Sequence, residues 1–173
     1  MTVDYCPEES TSKDGSPGLV QGQELIVWLL FDPDNFENGK LTPSAVSKLK
    51  KRDGASTARR DHVTAADAQK HIVDSRLSKN ATLSFVGAVM AQADEIRSCG
   101  STLKVTRLFC VYDDPDLPNI PGHSTIRFSD LTRDGKFWDP KKGKNNASAV
   151  LGDLLLLFEK RGSPLTLAQA FAV

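Results

Sequence analysis

The chain has 173 residues, a formal net charge of zero from 22 basic and 22 acidic side chains, 39% hydrophobic residues and 25% charged residues. This length and composition are typical of one soluble globular domain, and they exclude a collagen, a disordered charged tail and a membrane protein. The longest apolar run, Leu154–Phe158, falls far short of the roughly 18 residues that a membrane-spanning helix needs.

The segment 1–20 is rich in Ser, Pro, Gly, Asp and Glu, and we expect it to be a flexible N-terminal tail because it can bury little apolar surface. Residues 21–173 then form a single domain. The run from Glu24 to Phe31 is apolar at nearly every position, which predicts a strand buried on both faces. Over residues 40–60 the pattern predicts a loop with one short strand or helical turn.

A helix is predicted from Thr64 to about Arg76, because Thr64 and Asp67 have the spacing of a helix cap. The apolar run over 83–91 fits either a buried strand or a buried helix; we favour a strand, followed by a helical turn at 94–97. Strands are also predicted over 103–112 and 123–128, and a helix over 147–161 that stops at Gly162. Together, these elements predict an α+β domain with a mixed or antiparallel sheet of three to four strands and two to three helices.

The three cysteines, Cys6, Cys99 and Cys110, do not form a Cys-x-x-Cys pair, and their odd number does not suggest a disulfide framework. We therefore expect buried free thiols. The first residues lack the basic start and apolar stretch of a secretory signal, so we expect a reduced, cytoplasmic protein.

The candidate catalytic residues are His123, Asp113 and Asp114. A predicted strand ends in the two carboxylates, and a Pro-rich loop returns the chain to the histidine. Histidine is the usual general acid or base near neutral pH, and either carboxylate could orient its ring. Ser124 and Thr125 supply further donors for a ligand. The alternative is a structural loop in which the Asp side chains cap turns and His123 is a hydrogen-bonded structural residue.

Basic residues concentrate in three segments, 48–52, 59–60 and 141–144. The candidate anion-binding residues in the last two segments are Arg59, Arg60, Lys141, Lys142 and Lys144. If these segments meet in the fold, they form a positive patch for phosphates or nucleic acid. Solvated loops are the alternative, since the net charge is zero and aromatic residues for base stacking are scarce nearby. The three histidines are scattered and no phosphate-binding glycine loop is present, so we expect no metal and no cofactor.

About half of the chain resembles a loose group of small uncharacterised bacterial proteins, and three stretches carry the resemblance. They are the strand that ends at Phe31–Pro33, the run Ser56–Arg60 leading to Thr64–Asp67, and the loop Asp113–His123. The resemblance implies a bacterial cytoplasmic protein without a known activity. His-x-Thr also occurs twice, at His62 and His123, which resembles the paired motif of the two-histidine phosphoesterases.

Two functional hypotheses follow from the sequence. The first is a non-enzymatic accessory protein that binds a protein partner, another copy of itself or, through the basic loops, a nucleic acid. The second is a small hydrolase or transferase in which His123 works with Asp113 or Asp114, while Arg59 and Arg60 hold an anionic substrate. Neither hypothesis involves a membrane.

Overall fold

The computed structural model describes Cys6, residues 14–47, Leu49, residues 54–99, residues 109–128 and residues 144–172. Within these ranges the chain forms a five-stranded antiparallel sheet, a separate two-stranded hairpin, and helices on both faces of the larger sheet. The predicted α+β class is confirmed. The predicted numbers of strands and helices are too low. The sequence pattern did not reveal the hairpin strands, the central position of one short strand or the last short helix, and it counted the helix over 93–98 only as a turn.

The larger sheet has the strand order β5-β1-β4-β7-β6, and each of its pairings is antiparallel. Strand β1 lies inside the sheet, so its six interior residues are all buried, as the continuous apolar run predicted. The strands are β1 (Leu25–Asp32), β2 (Phe36–Glu37), β3 (Lys40–Leu41), β4 (Ala55–Arg59), β5 (Ser84–Gln92), β6 (Phe109–Asp113) and β7 (His123–Phe128). Of the predicted strand over 103–112, residues 103–108 lie outside the described residues.

The predicted helix start at Thr64 is confirmed, since its side chain accepts a hydrogen bond from the Asp67 backbone N–H at 3.1 Å. That helix is longer than predicted and has a π-helical segment, Ala68–Asp74, between α2 and α3. Among the described residues, no helix is long and apolar enough to cross a membrane. The helices are α1 (Pro43–Ser47), α2 (Ala65–Asp67), α3 (Ser75–Lys79), α4 (Ala93–Ser98), α5 (Lys144–Glu159) and α6 (Leu167–Ala170).

Each face of the sheet has its own apolar core. On the first face, Val27, Leu29 and Ala58 pack under the α2–α3 helix and α6. On the second face, Trp28 and its neighbours pack against α4 and α5, and its indole ring meets Phe158 edge to face with 5.2 Å between ring centroids. Because successive residues of a strand point to opposite faces, adjacent residues of β4, β6 and β7 face different cores.

Strand β4 adds to the prediction for residues 40–60, which was a loop with one short strand or helical turn. It lies at the centre of the sheet, between β1 and β7. Its sequence, Ala-Ser-Thr-Ala-Arg, contains none of the large apolar residues that mark a central strand, yet four of its five residues are buried. The buried Thr57 hydroxyl donates a hydrogen bond to the Ser124 backbone oxygen at 3.1 Å. The buried Arg59 guanidinium has carboxylate partners, among them Asp113.

Part of the N-terminal segment that we expected to be flexible lies against the domain. Val20 is 2% exposed and belongs to the core of the second face. The Gly18 carbonyl accepts a hydrogen bond from Arg59 at 2.6 Å, and the Ser16 hydroxyl donates to the Asp113 carboxylate. Residues 14–20 thus contribute polar contacts to the buried end of β4 and β6.

A disulfide joins Cys6 to Cys110, with 5.7 Å between their Cα atoms. Both cysteines are buried beside Tyr112. The sequence predicted free thiols, and this prediction is wrong for these two residues, because spacing along the chain does not show which cysteines meet in space. Cys99 is the remaining free cysteine. Its burial, together with the nearby carboxylates of Asp153 and Glu95, raises the pKa of its thiol to about 11.

We expect one titratable thiol in the protein denatured without reductant, and three after reduction, measured with a thiol-specific chromogenic reagent. In the folded protein Cys99 should react slowly, because little thiolate is present at neutral pH when the pKa is raised. The Cys99→Ser variant is the control and should give no titratable thiol before reduction. Three thiols in the unreduced, denatured protein would contradict the disulfide.

Candidate active site

A cluster of polar side chains covers the first face of the sheet where β4, β7 and β6 run side by side. The strand register places Ser56 opposite Thr125 and Ala58 opposite His123. On the other side of β7, Tyr112 lies opposite Thr125, and Cys110 lies opposite Arg127. Directly opposed residues share a face of the sheet. We use the name polar cluster for Ser56, Tyr112, Asp114, His123, Thr125 and Arg127.

Both ring nitrogens of His123 have polar partners. Nδ1 lies 2.5 Å from the backbone oxygen of Asp114, and Nε2 lies 2.6 Å from the Ser56 hydroxyl oxygen. A carbonyl oxygen can only accept a hydrogen bond, so Nδ1 must carry the hydrogen. In the neutral ring Nε2 is then the acceptor, and the Ser56 hydroxyl donates to it.

The position of His123 is fixed by the backbone on both sides. The Asp114 N–H donates to the His123 carbonyl at 3.2 Å, which continues the pairing of β6 with β7. Before His123, the Gly122 carbonyl accepts a hydrogen bond from the Arg59 N–H at 2.8 Å. A Cβ atom on Gly122 would lie 2.6 Å from the His62 Cβ, so glycine permits the turn at Arg60–His62 to pack against the start of β7.

The Asp114 side chain contacts three residues of β7. Its carboxylate accepts a hydrogen bond from the Thr125 hydroxyl at 2.8 Å, and it lies 4.0 Å from His123 Nδ1 and 3.6 Å from an Arg127 nitrogen. The sequence therefore identified Asp114 correctly as a neighbour of His123. Its carbonyl, not its carboxylate, makes the hydrogen bond to the ring, and the carboxylate adds a negative charge nearby.

Asp113 does not belong with His123, which corrects its predicted catalytic role. It follows Tyr112 in β6 and therefore points to the second face, where its side chain is 0% exposed. There its carboxylate accepts hydrogen bonds from Arg59 at 3.0 Å and from Ser16. The alternation of a strand sends two consecutive aspartates to opposite faces, so only one of them can reach the histidine.

Arg59 is a structural residue rather than a surface anion holder. Its side chain is 2% exposed, and two of its nitrogens each lie 2.7 Å from a Glu24 carboxylate oxygen. Burial of Glu24 opposes its ionisation, but hydrogen bonds from Arg59 and the Gln21 backbone outweigh this effect, and they lower the pKa of that carboxyl. With Asp113 and Gly18 as further acceptors, the guanidinium is enclosed by internal partners.

The other predicted binding residues do not form one patch among the described residues. The Arg60 guanidinium donates to the Ala172 backbone oxygen and so holds the C-terminal segment. Ser124 is buried on the second face, 2.9 Å from the Thr57 hydroxyl. Thr125 does lie in the polar cluster. Lys141 and Lys142 lie outside the described residues, and Lys144 is the first residue of α5.

The first His-x-Thr motif is not arranged as in the two-histidine phosphoesterases. His62 ends a short 3-10 turn, and its Nε2 lies 3.9 Å from the Glu24 carboxylate. Thr64 caps the following helix. Because this motif does not lie on a strand that pairs with β7, the resemblance to those enzymes is not supported.

The sequence did not reveal three members of the polar cluster: Tyr112, which ends a predicted strand, Ser56 and Arg127. Ser56 lies in a stretch predicted to be loop, and it is the one exposed residue of β4. Arg127 follows the predicted His-x-Thr stretch by two residues, and alternation along β7 puts it on the same face as His123. A correct assignment of β4 as a strand was the signal that could have paired Ser56 with His123.

A cleft of about 670 Å³ opens elsewhere, between the β2–β3 hairpin, β5 and the end of α5. Its wall is largely apolar and includes Phe36, Val89 and Phe158, with Lys40 and Glu159 among the polar lining residues. None of its lining residues belongs to the polar cluster, so it is a separate feature.

No protein-family model matches the chain, and the comparisons with curated proteins and with solved structures likewise found no match. The geometry of the polar cluster is therefore the basis for a function.

Acidification should weaken the fold through Glu24. Its pKa is lowered from 4.5 in the folded state, so the unfolded state binds more protons in that range. The stability that the ionised side chain contributes is fully present above about pH 4.5, and it is lost as the pH falls through the lower folded pKa. We expect the urea midpoint to fall as the pH is lowered below about 4.5.

The Glu24→Gln variant should have a lower urea midpoint than wild type at neutral pH, because Arg59 loses a buried charge partner, and a shallower decline with acid. Glu37→Gln, which changes an exposed carboxyl in β2, is the matched control and should keep the wild-type decline. An unchanged acid response in Glu24→Gln would contradict this assignment.

Proposed function

We propose that this protein is a hydrolase that cleaves ester bonds, with Ser56 as the nucleophile and His123 as the general base. The observation that carries the proposal is the 2.6 Å contact between the Ser56 hydroxyl oxygen and His123 Nε2. A nucleophile within hydrogen-bond distance of a base, with the base oriented by a third group, is the arrangement that activates serine in enzymes. The third group here is the Asp114 carbonyl.

The tautomer of His123 suits this role. Since Nδ1 must donate to the Asp114 carbonyl, Nε2 is free to take the hydroxyl proton as Ser56 attacks. The imidazolium that forms would lie 4.0 Å from the Asp114 carboxylate, whose negative charge favours it. Ser56 is exposed, so a substrate can approach its oxygen.

The proposed reaction is an acyl transfer to water in two stages. The Ser56 oxygen forms a bond to the ester carbonyl carbon while its proton moves to His123 Nε2. The bond from that carbon to the alcohol oxygen then breaks, and the departing oxygen takes the proton from Nε2. Water next attacks the acyl-Ser56 ester and gives one proton to Nε2, which returns it to Ser56 as the acid leaves.

The hypothesis of a non-enzymatic binding protein has less support from the described residues. It rested on the absence of a catalytic arrangement in the sequence, with a flexible tail, an acidic loop and basic loops as contact surfaces. Ser56 and His123 supply such an arrangement, and the Arg59 guanidinium is enclosed by internal partners. The partners predicted from the sequence, a protein or a nucleic acid, stay predictions.

The compartment is part of the proposal. Disulfides persist in oxidising compartments and are rare in the cytosol. The Cys6–Cys110 bond therefore favours an oxidising compartment over the reduced cytoplasm predicted from the sequence.

We expect Ser56→Ala to abolish turnover of a simple ester such as 4-nitrophenyl acetate, and His123→Gln to reduce it by about 100- to 10,000-fold, the usual contribution of a general base. Ser84→Ala, which removes an exposed serine of β5, is the matched control and should keep wild-type turnover. Thermal unfolding of each variant checks that the fold is retained, since loss of an exposed hydrogen bond costs only about 1 kcal/mol.

A fluorophosphonate probe gives an independent measurement, because it modifies serines activated by a neighbouring base. Intact-mass and peptide analysis should place the modification on Ser56 in wild type and in Ser84→Ala, and should find none in Ser56→Ala. Turnover that survives in Ser56→Ala, or a label on another residue, would overturn the proposed function.

A further inference from the structure

We infer that the substrate of this site is an ester that carries a free carboxylate, which binds Arg127. This inference rests on the proposed function and adds the chemical class of the substrate. Its basis is the position of the Arg127 guanidinium on the face that carries Ser56 and His123, together with terminal guanidinium nitrogens that donate no hydrogen bond to the described residues.

In the strand register, Ser56 has a base and a cation as neighbours on the adjacent strand. It lies opposite Thr125, and His123 and Arg127 are the residues two positions before and after Thr125 on the same face of β7. They are therefore the two diagonal neighbours of Ser56, each about 7–8 Å away between Cα atoms. A long side chain can bridge much of that distance.

The Arg127 guanidinium has unused capacity for hydrogen bonds. Among the described residues, none accepts a hydrogen bond from it, and its Nε is buried without a partner. Nη2 forms an ion pair with an Asp114 carboxylate oxygen at 3.6 Å, a distance longer than a hydrogen bond. The side chain is 32% exposed. A guanidinium with free donors at a surface is suited to a carboxylate, which it can bind with two parallel hydrogen bonds.

The guanidinium is held in place before a ligand arrives. Its central carbon lies 5.1 Å from the centre of the Tyr112 ring, a cation–π contact. A Cβ atom on Gly54 would lie 2.6 Å from the Arg127 Cγ, and the Gly54 φ of +63° is one that other residues rarely adopt. Glycine at this position therefore leaves room for the Arg127 stem beside β4.

The test compares two ethyl esters that differ only in charge: monoethyl glutarate, which carries a carboxylate, and ethyl glutaramate, in which a neutral amide replaces it. Acid release is followed at constant pH by titration. We expect wild type to prefer the glutarate by about 10- to 100-fold in kcat/KM, the effect of a charged hydrogen-bonded pair. Arg127→Gln should reduce this ratio to about one, with most of the change in KM.

Two further variants complete the experiment. Arg127→Lys keeps the charge without the planar fork and should retain an intermediate preference. Arg161→Gln removes a guanidinium that pairs with Glu95 and lies beside β5, and it should keep the wild-type ratio. Thermal unfolding confirms that each variant is folded.

The outcomes separate the substrate class from the proposed function. Turnover that depends on Ser56 but shows no preference for the glutarate overturns the substrate class alone. An equal loss of both activities in Arg127→Gln also overturns it, since Arg127 would then act on the common transition state or on the fold. No turnover of either ester by wild type, or turnover that persists in Ser56→Ala, overturns both proposals.

Discussion

The buried ion pairs of Arg59 fix the geometry on which the site depends. The guanidinium joins Glu24, just before β1, to Asp113, at the end of β6, and it also binds the Gly18 carbonyl. Removing one partner of such a buried group typically costs about 3–5 kcal/mol, because the remaining charge is left unpaired. The ends of β4 and β6 are therefore held together from the second face, and the residues on the opposite face of the same strands are held with them.

Strand alternation divides these residues between structure and chemistry. In β6 and the residue after it, Asp113 points to the ion pairs, whereas Asp114 points to the polar cluster. In β7, Ser124 is buried on the second face, whereas His123 and Thr125 lie on the first. The buried interactions on the second face thus hold the strands in place, and the alternate residues of the same strands are presented on the first face.

The polar cluster lies where the apolar cover of the first face ends. The α2–α3 helix and α6 cover the core around Ala58, and the disulfide between Cys6 and Cys110 lies at β6. Between these two boundaries Ser56 is exposed. The disulfide also ties Cys6 to β6, the strand on which Cys110 lies opposite Arg127. Arg127 and His123 therefore lie on a part of the sheet that is supported at both sides.

The sequence by itself determined the elements whose signals are local. The apolar run of β1, the Thr64 cap and the strand that begins at His123 were predicted correctly because periodicity and capping depend on neighbouring residues. Only the tertiary structure decided that the polar stretch of β4 is a central strand, since long-range pairing and the burial of Arg59 outweigh its weak local preference. The pairing of Ser56 with His123, the separation of Asp113 from Asp114, and the disulfide all depend on strand register, which brings together residues that are distant in the chain.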